Sequence, residues 1–172
     1  MEYYCIMVLT GEEKSFKALA TDSLKDFFPS VRFYFFERKL FNARRGWFNA
    51  PLFPSYLFFS IDEMSADFFE KLRKIKGFCR ILPDNQHPVQ IKGASLEELK
   101  LFMQNGELWG VSTVRFLPGQ KIKAVSGPLV GFEGNVVMVN KKRRQITVQS
   151  NVTGSPIKFD LKYEEAEKAE EI

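Results

Sequence analysis

The stretch SGPLVGFEGNVVMV, residues 126–139, places Gly127, Gly131 and Gly134 directly before an apolar run. A phosphate-binding P-loop needs a Gly-Lys-Ser/Thr ending that opens a helix, and a dinucleotide-binding fingerprint also opens a helix. No lysine follows Gly134, and the next residues have the β-branched composition of a strand. The glycines therefore serve the backbone. We expect a turn at Gly127-Pro128, with positive φ and close packing at Gly131 and Gly134.

Short strands on both sides of this stretch predict a small all-β barrel of the SH3-like kind. Residues 122–125, 136–139, 146–149 and 157–159 are separated by turns rich in Gly, Pro, Asn and Lys, and no helical period appears among them. Such regular spacing is typical of small barrels. Residues 113–163 carry nine basic and two acidic residues, a net charge of +7. This charge favours a polyanionic partner, although solubility alone would also explain it.

A mixed pattern of helices and strands precedes the barrel, in the predicted order β-α-β-β-α-β-β-α. Two helices are preceded by sequences that fit capping boxes, at residues 10–13 and 95–98. Residues 37–50 predict a hairpin with a basic tip, and residues 89–91 predict an edge strand. These elements favour an α+β fold, an α/β sandwich in which helices flank an antiparallel or mixed sheet.

The chain is therefore predicted to contain an α+β domain at residues 1–106, a linker at 107–116, the barrel at 117–164 and an acidic tail at 165–172. The start has no basic segment followed by a long apolar core, and no run reaches 18 apolar residues. We therefore expect a cytoplasmic protein with no membrane association.

The sequence offers no constellation for catalysis, and we expect no enzyme, no cofactor and no metal. His87 is the only histidine, and Cys5 and Cys79 are too far apart in sequence for a CxxC motif. Glu97 and Glu98 are adjacent on a predicted helix, so their side chains diverge by about 100° and form no carboxylate pair.

Two sets of motifs point to a known family. Pro118-Gly119, the strand after it, Gly127-Pro128, and Gly131 and Gly134 around Phe132 resemble the KOW module. Tyr3-Tyr4 before Gly11-Glu12, and the segment Leu52-Phe53-Pro54-Ser55-Tyr56, are similar to the opening and central motifs of the NusG family of transcription elongation and antitermination factors. The resemblance covers residues 2–168 in order, and it implies an N-terminal (NGN) domain followed by a KOW domain that recruits a further partner or RNA.

The resemblance also implies a docking surface for RNA polymerase. In the family, an apolar surface of the N-terminal domain binds the clamp helices of the polymerase β′ subunit, and the matching residues here are Tyr4, Phe53 and Tyr56. Because Pro54 predicts an exposed turn, we expect Phe53 and Tyr56 at the surface. The alternative is that all three belong to the core.

A nucleic-acid contact is the second implication. The basic residues of the hairpin suit phosphates and guanine edges, and its aromatic residues suit stacking on bases of non-template DNA or nascent RNA. The alternative is a solvated hairpin. The basic candidates are Arg38, Lys39, Arg44 and Arg45, with Trp47 and Phe48 beside them. The turn Lys141–Arg144 is expected to be an ordinary charged hairpin tip, and the alternative is that it contacts nucleic acid.

The departures from the family indicate a specialised member. Housekeeping NusG has a Phe-Gly-Arg segment that helps to bind a small ribosomal subunit protein and the termination factor Rho, whereas residues 150–155 here read SNVTGS. The missing Phe argues against both partners. We expect a monomeric paralogue similar to RfaH or LoaP that acts on selected operons. The alternative is an RNA-binding, ribosome-associated protein that uses the KOW barrel, although ribosomal KOW proteins lack the N-terminal motifs.

Overall fold

A computed structural model describes residues 1–119 and 121–167. Within these residues the chain forms three α-helices and twelve strands, with one short 3-10 turn at Glu133–Asn135. The elements are β1 Glu2–Val8, α1 Glu13–Leu24, β2 Arg32–Tyr34, β3 Glu37–Asn42, β4 Gly46–Pro51, β5 Tyr56–Ile61, α2 Ala66–Arg73, β6 Phe78–Ile81, α3 Gly93–Gln104, β7 Leu108–Trp109, β8 Ser112–Leu117, β9 Lys121–Ser126, β10 Val136–Asn140, β11 Gln145–Ser150 and β12 Ile157–Glu165.

The N-terminal part is the predicted α/β sandwich. Its sheet has the strand order β2-β5-β1-β6, and the central strands β1 and β5 pair antiparallel from Glu2↔Ile61 to Met7↔Tyr56. Buried residues of α1 and α2, including Phe16 and Phe68, pack with inward-facing residues of β1 and β5 on one face of this sheet. Helix α3 contributes to a second cluster, together with residues of β1 and β5 that point the other way.

The predicted hairpin is also present. Strands β3 and β4 pair antiparallel from Glu37↔Pro51 to Asn42↔Gly46. The short strand β7 joins β3 in parallel, so the hairpin belongs to a three-stranded sheet of order β4-β3-β7. The segment predicted as a linker, residues 107–116, thus contributes β7 and most of β8.

The C-terminal strands form a five-stranded sheet of order β10-β11-β12-β8-β9. It curls into a small barrel, because side chains from all five strands share one core. Each predicted strand is confirmed and is longer than expected. The barrel also includes β8, which pairs with β12 in parallel from Tyr163↔Ser112 to Glu165↔Val114. Of the predicted acidic tail, residues 168–172 lie outside the described residues.

Three local expectations were wrong. The first capping box fails because α1 begins at Glu13 with Glu12 as its N-cap, and Thr10 Oγ1 instead bonds to Ser55 Oγ, at 2.5 Å. The second fails because α3 begins at Gly93, so Ser95 lies inside the helix. Residues 89–91 form no strand, although one backbone N–H there donates to a carbonyl of β1. Both helices thus begin at other residues than their capping boxes predicted.

The glycines of residues 126–139 serve the backbone at two of three positions. Gly127 has φ +90°, and a Cβ on it would lie 2.7 Å from Ser112 Cα, so glycine is needed both for the turn and for the approach of β8. Gly131 also has φ +90°. Gly134 lies in the 3-10 turn with open space around it and no positive φ, so the expectation for Gly134 was wrong.

Candidate functional site

Aromatic side chains from both parts of the chain form one buried cluster, which we call the junction cluster: Phe53, Phe102, Trp109, Phe132 and Phe159. The Phe102 ring lies at its centre, 5.2 Å from the ring of Phe53 and 4.9 Å from that of Phe132. Phe53 and Phe159 meet edge to face at 5.6 Å. Each of the five side chains is at most 3% exposed. The barrel therefore covers the face of the N-terminal part that carries α3 and Phe53.

Polar contacts fix the same junction. Asn105 Nδ2, at the end of α3, donates to the Pro128 carbonyl of the barrel at 3.3 Å. Trp109 stacks on Phe102 with 4.8 Å between ring centres, and its Nε1–H donates to the Gly106 carbonyl at 3.1 Å. The indole thus has its one polar group satisfied while its apolar surface is buried.

The expected surface position of Phe53 was wrong for this closed arrangement. Pro54 does lie at an exposed turn, but the Phe53 side chain points inward and is 1% exposed. The reason is tertiary, because the face that Phe53 occupies is covered by Phe159 from the barrel. Tyr56 is half-buried and packs at the edge of the same apolar cluster.

The turn that carries these two aromatic residues is built around Ser55. The Tyr56 N–H donates to the Phe53 carbonyl at 3.0 Å, and Ser55 has φ +72°. Proline followed by a positive φ is the geometry of a type II turn, which favours glycine at the second central position. The buried Glu13 carboxylate accepts the Ser55 N–H at 2.8 Å and so holds the serine in this conformation.

Tyr4 does not lie with Phe53 and Tyr56. It faces the opposite side of the sheet, where its ring stacks on Phe59 at 5.3 Å and its hydroxyl donates to Glu2 Oε2 at 2.8 Å. Burial, together with this hydrogen bond and the Glu2 charge, raises the pKa of Tyr4 to about 12. Its neighbour Tyr3 packs on the Phe53 side. The two-residue period of a strand is sufficient to separate the two adjacent tyrosines.

The hairpin presents an exposed basic and aromatic tip. Arg44 and Arg45 are both exposed, and the Arg45 guanidinium lies over the Phe48 ring at 4.7 Å. Trp47 is 57% exposed and Phe41 is 47% exposed, with 5.5 Å between their ring centres. Exposed aromatic rings beside arginine are suited to stacking on unpaired bases.

The other two basic candidates differ, because adjacent residues of a strand point to opposite faces. Lys39 is exposed and, with Trp47 and Phe48, lines an open groove of about 470 Å³ that also includes residues 110 and 111. Arg38 is only partly exposed, donates to the Pro51 carbonyl, and has a buried Nε with no partner in the described part of the chain. Burial lowers the pKa of Arg38, and the charge of Asp160 in the barrel opposes that shift. The structure therefore separates Arg38 from the other three.

The described residues contain no helix long and apolar enough to span a membrane. In the same residues, no group of three or more His, Cys, Asp or Glu side chains is placed to hold a metal ion. Burial raises the pKa of the Cys5 thiol, which keeps it in the weakly reactive protonated form.

Some residues of the candidate site were missed by sequence reasoning. Phe102 and Trp109 anchor the junction, yet helical spacing identified Phe102 only as one core residue of a helix, and Trp109 fell in the predicted linker. The one signal in the sequence was the unusual density of aromatic residues, 18 Phe in 172 residues. Composition does not say which aromatic residues meet.

Comparisons with known proteins all identify NusG proteins as similar to this chain. A sequence model of the family "Transcription termination factor nusG" matches residues 1–100. The transcription termination/antitermination protein NusG of Thermus thermophilus is 24% identical over 185 aligned positions, which cover 98% of this chain and 99% of that protein. The protein of the same name from Treponema pallidum is 28% identical over 123 positions, with 66% of each chain covered.

A solved structure agrees on the fold. The structure titled "Domain interaction in Thermotoga maritima NusG" superimposes with a TM-score of 0.60 at 18% identity, covering 94% of this chain and 93% of that one. At this identity the similarity concerns the fold alone. Together with the family match over residues 1–100, it agrees with the sandwich and barrel described above. The chain belongs to the NusG family of transcription termination and antitermination factors.

Proposed function

We propose that this chain binds RNA polymerase through the face of its N-terminal part that carries Phe53 and Tyr56, and that it promotes elongation and antitermination. The observation that carries the proposal is the density of large apolar side chains on this face. Phe53, Phe102 and Trp109 are all within the junction cluster, and Tyr56 lies at its edge. Buried aromatic anchors of this kind dominate the affinity of protein interfaces. The proposed contact on the polymerase is the pair of clamp helices of the β′ subunit.

The closed arrangement sets a condition on this binding. Phe132 and Phe159 of the barrel occupy the face that would bind polymerase. The barrel and the polymerase are therefore alternative partners of one surface, and binding requires the closed state to open. The apparent affinity is reduced by the fraction of molecules that are open. A ligand that favours the open state, such as a recruiting nucleic acid, would raise the apparent affinity for polymerase.

The hairpin tip is the proposed contact with nucleic acid. Arg44 and Arg45 are exposed without opening of the closed state, and Trp47 offers a free ring beside them. We assign non-template DNA or nascent RNA as the ligand, bound by phosphate contacts and base stacking. Lys39 extends this surface along the groove, whereas the partly buried Arg38 makes its contact only after the barrel has moved away.

We further propose a specialised role at selected operons. The connection between β11 and β12 forms a turn closed by the Gly154 N–H to the Asn151 carbonyl, at 2.9 Å, and it lacks the Phe-Gly-Arg sequence. We therefore do not assign Rho or a small ribosomal subunit protein as a partner of the barrel. The proposal has the protein acting as a cytoplasmic monomer without a cofactor.

Single-round transcription by the cognate polymerase across a terminator tests the function. Templates carry either the native upstream leader or a scrambled one. We expect increased read-through on the native leader and little effect on the scrambled one. Equal effects on both would identify a general factor, and no effect on either would refute the proposal.

A pair of matched variants tests whether polymerase binds the face that carries Phe53 and Tyr56. Tyr56→Ala is preferred to a Phe53 variant, because Tyr56 is only half-buried at the edge of the apolar cluster and its truncation disturbs the core less. Truncating an interface anchor costs about 2 kcal/mol, roughly a 30-fold loss of affinity for polymerase. Phe27→Ala removes an equally large but 66% exposed ring elsewhere and is the control. Equal losses in both variants would contradict the docking assignment.

A further inference from the structure

The basic residues of the barrel gather at one of its ends. Strand β12 runs toward the β10–β11 turn, since Lys162 pairs with Gln145, and β8 runs parallel to β12. The tip of the β8–β9 hairpin therefore lies at the same end as the β10–β11 turn. The two are in contact, because Lys141 Nζ lies 4.7 Å from the centre of the Phe116 ring on β8.

We call this surface the basic end. It includes eight of the nine cations between residues 113 and 163; the ninth, Lys158, pairs with Gln149 at the far end of β12. Seven of the eight are exposed, and Lys162 is half-buried. The members are Arg115, Lys121, Lys123, Lys141, Lys142, Arg143, Arg144 and Lys162.

These cations have no ion-pair partners within the described residues. The two acidic residues of the region are used inside the fold. Glu133 Oε2 accepts the Gly131 N–H at 2.9 Å, and Asp160 Oδ1 accepts the Thr147 hydroxyl at 2.6 Å. Glu164 and Glu165 at the end of β12 also lie at this end, beside Thr113 and Val114 of β8. They offset part of the positive charge, but the eight cations outnumber them, and no ion pair joins the two sets within the described residues.

Like charges also oppose each other directly. Arg115 and Lys123 are cross-strand partners in the β8–β9 register and are both exposed, an arrangement that destabilises a sheet. Burial and the nearby Arg143 lower the pKa of Lys162. An anion bound at this end would relieve the repulsion, because it would interact favourably with both members of each pair.

We propose that the basic end binds the phosphodiester backbone of a nucleic acid. The side chains present suit phosphates rather than bases, because the Phe116 ring is covered by Lys141 and packs against Tyr163 at 5.7 Å. Contacts to phosphate position a protein on nucleic acid without reading its sequence. The surface is thus a sequence-independent site for a nucleic-acid strand, separate from the hairpin tip.

The basic end is open in the closed arrangement. The barrel contacts the N-terminal part through Pro128, Phe132 and Phe159, which do not belong to this surface. Binding at the basic end therefore does not require the barrel to leave the polymerase-docking face, and it does not depend on the function proposed above.

The full chain is tested with fluorescent oligouridine RNA of 20 nucleotides, the matching oligothymidine DNA and a 20-base-pair duplex, by anisotropy at several salt concentrations. The test variant is Lys121→Gln/Lys141→Gln/Lys142→Gln. Each lost phosphate contact lowers the slope of log K against log salt by about 0.7 for single strands, so three lower it by about 2 and reduce affinity at 0.1 M salt roughly 100-fold.

The control variant Lys76→Gln/Lys92→Gln/Lys158→Gln removes the same charge from exposed sites elsewhere, and we expect less than a threefold loss. Tighter binding of RNA than of DNA would assign a transcript, and the reverse would assign a DNA strand. The proposal is overturned if no nucleic acid binds at 50 mM salt, or if both triple variants lose affinity equally. It is also overturned if only Arg44→Gln/Arg45→Gln abolishes binding, or if the chain binds vesicles with 30% phosphatidylserine but no oligonucleotide.

Discussion

The contact between Phe53 and Phe159 is where the closed arrangement is most directly tested. The rings meet at 5.6 Å with an interplanar angle of 80°. Phe53 also contacts Phe58 in its own part of the chain, and Phe159 also contacts Phe102 and Trp109 across the junction, while its side chain belongs to the barrel core. The change in unfolding free energy caused by either single substitution therefore includes lost contacts within one part of the chain as well as lost contacts across the junction. A double-mutant cycle isolates the contact across the junction.

Leucine is the suitable replacement at both positions, because it keeps most of the buried volume and avoids the 3–5 kcal/mol that truncation of a buried Phe to Ala typically costs. Edge-to-face pairs contribute about 0.5–1.5 kcal/mol beyond the area they bury. Phe53 makes two such contacts within its own part, to Phe58 and Phe102, and one across the junction. We therefore expect a coupling free energy of about 1 kcal/mol between Phe53→Leu and Phe159→Leu.

Urea unfolding of the wild type, both single variants and the double variant measures this coupling. The control cycle pairs Phe53→Leu with Phe28→Leu, since Phe28 contacts Phe68 in the other cluster. Residues without shared partners add within about 0.5 kcal/mol. A Phe53–Phe159 coupling no larger than that of the control pair would show that the two parts are not packed in solution, and the proposed competition between barrel and polymerase would then fail.

Three further predictions concern local features. Gly127→Ala should lower the free energy of unfolding by about 2–5 kcal/mol, because its Cβ would lie 2.7 Å from Ser112 Cα and its φ is +90°. Gly134→Ala should change the free energy of unfolding by less than about 1 kcal/mol. Equal effects of the two variants in thermal unfolding would contradict the turn geometry. Ser55→Gly should stay within about 1 kcal/mol of the wild type, while Ser55→Val at φ +72° should lose about 2 kcal/mol or more in urea unfolding. The folded pKa of Tyr4, about 12 against an ordinary 10.0, stabilises the fold below pH 10, and this contribution is lost as the pH rises from 10 to 12. Tyr4→Phe should therefore lose less stability than the wild type over that interval, and parallel pH profiles would refute the assignment.

The periodicity of the sequence was sufficient to predict most of the secondary structure. The hairpin at residues 37–50 and four of the barrel strands are where alternation and turn residues put them, because these signals are local. The capping boxes at residues 10–13 and 95–98 did not form, because α1 begins later than its box and α3 begins earlier. Thr10 bonds instead to Ser55, 45 residues away. A cap predicted from spacing competes with every other partner that the fold brings near.

The candidate site was predicted in part. The sequence identified Phe53, Tyr56 and the basic hairpin tip, but it grouped Tyr4 with Phe53 although the strand places them on opposite faces. It also treated Arg38 and Lys39 alike, although only Lys39 is exposed. Both errors come from naming residues by motif without applying the two-residue period of the strand to their side chains.

The sequence by itself determined the family, the sandwich and barrel, and the turn at Gly127, because motifs, hydrophobic period and backbone conformation are properties of neighbouring residues. Only the tertiary structure decided that Phe53 is covered by Phe159, and that the cations of two separate barrel hairpins form one surface. These features join residues more than 20 positions apart. Such contacts depend on how the strands pair and how the two parts of the chain pack, and no local pattern encodes that packing.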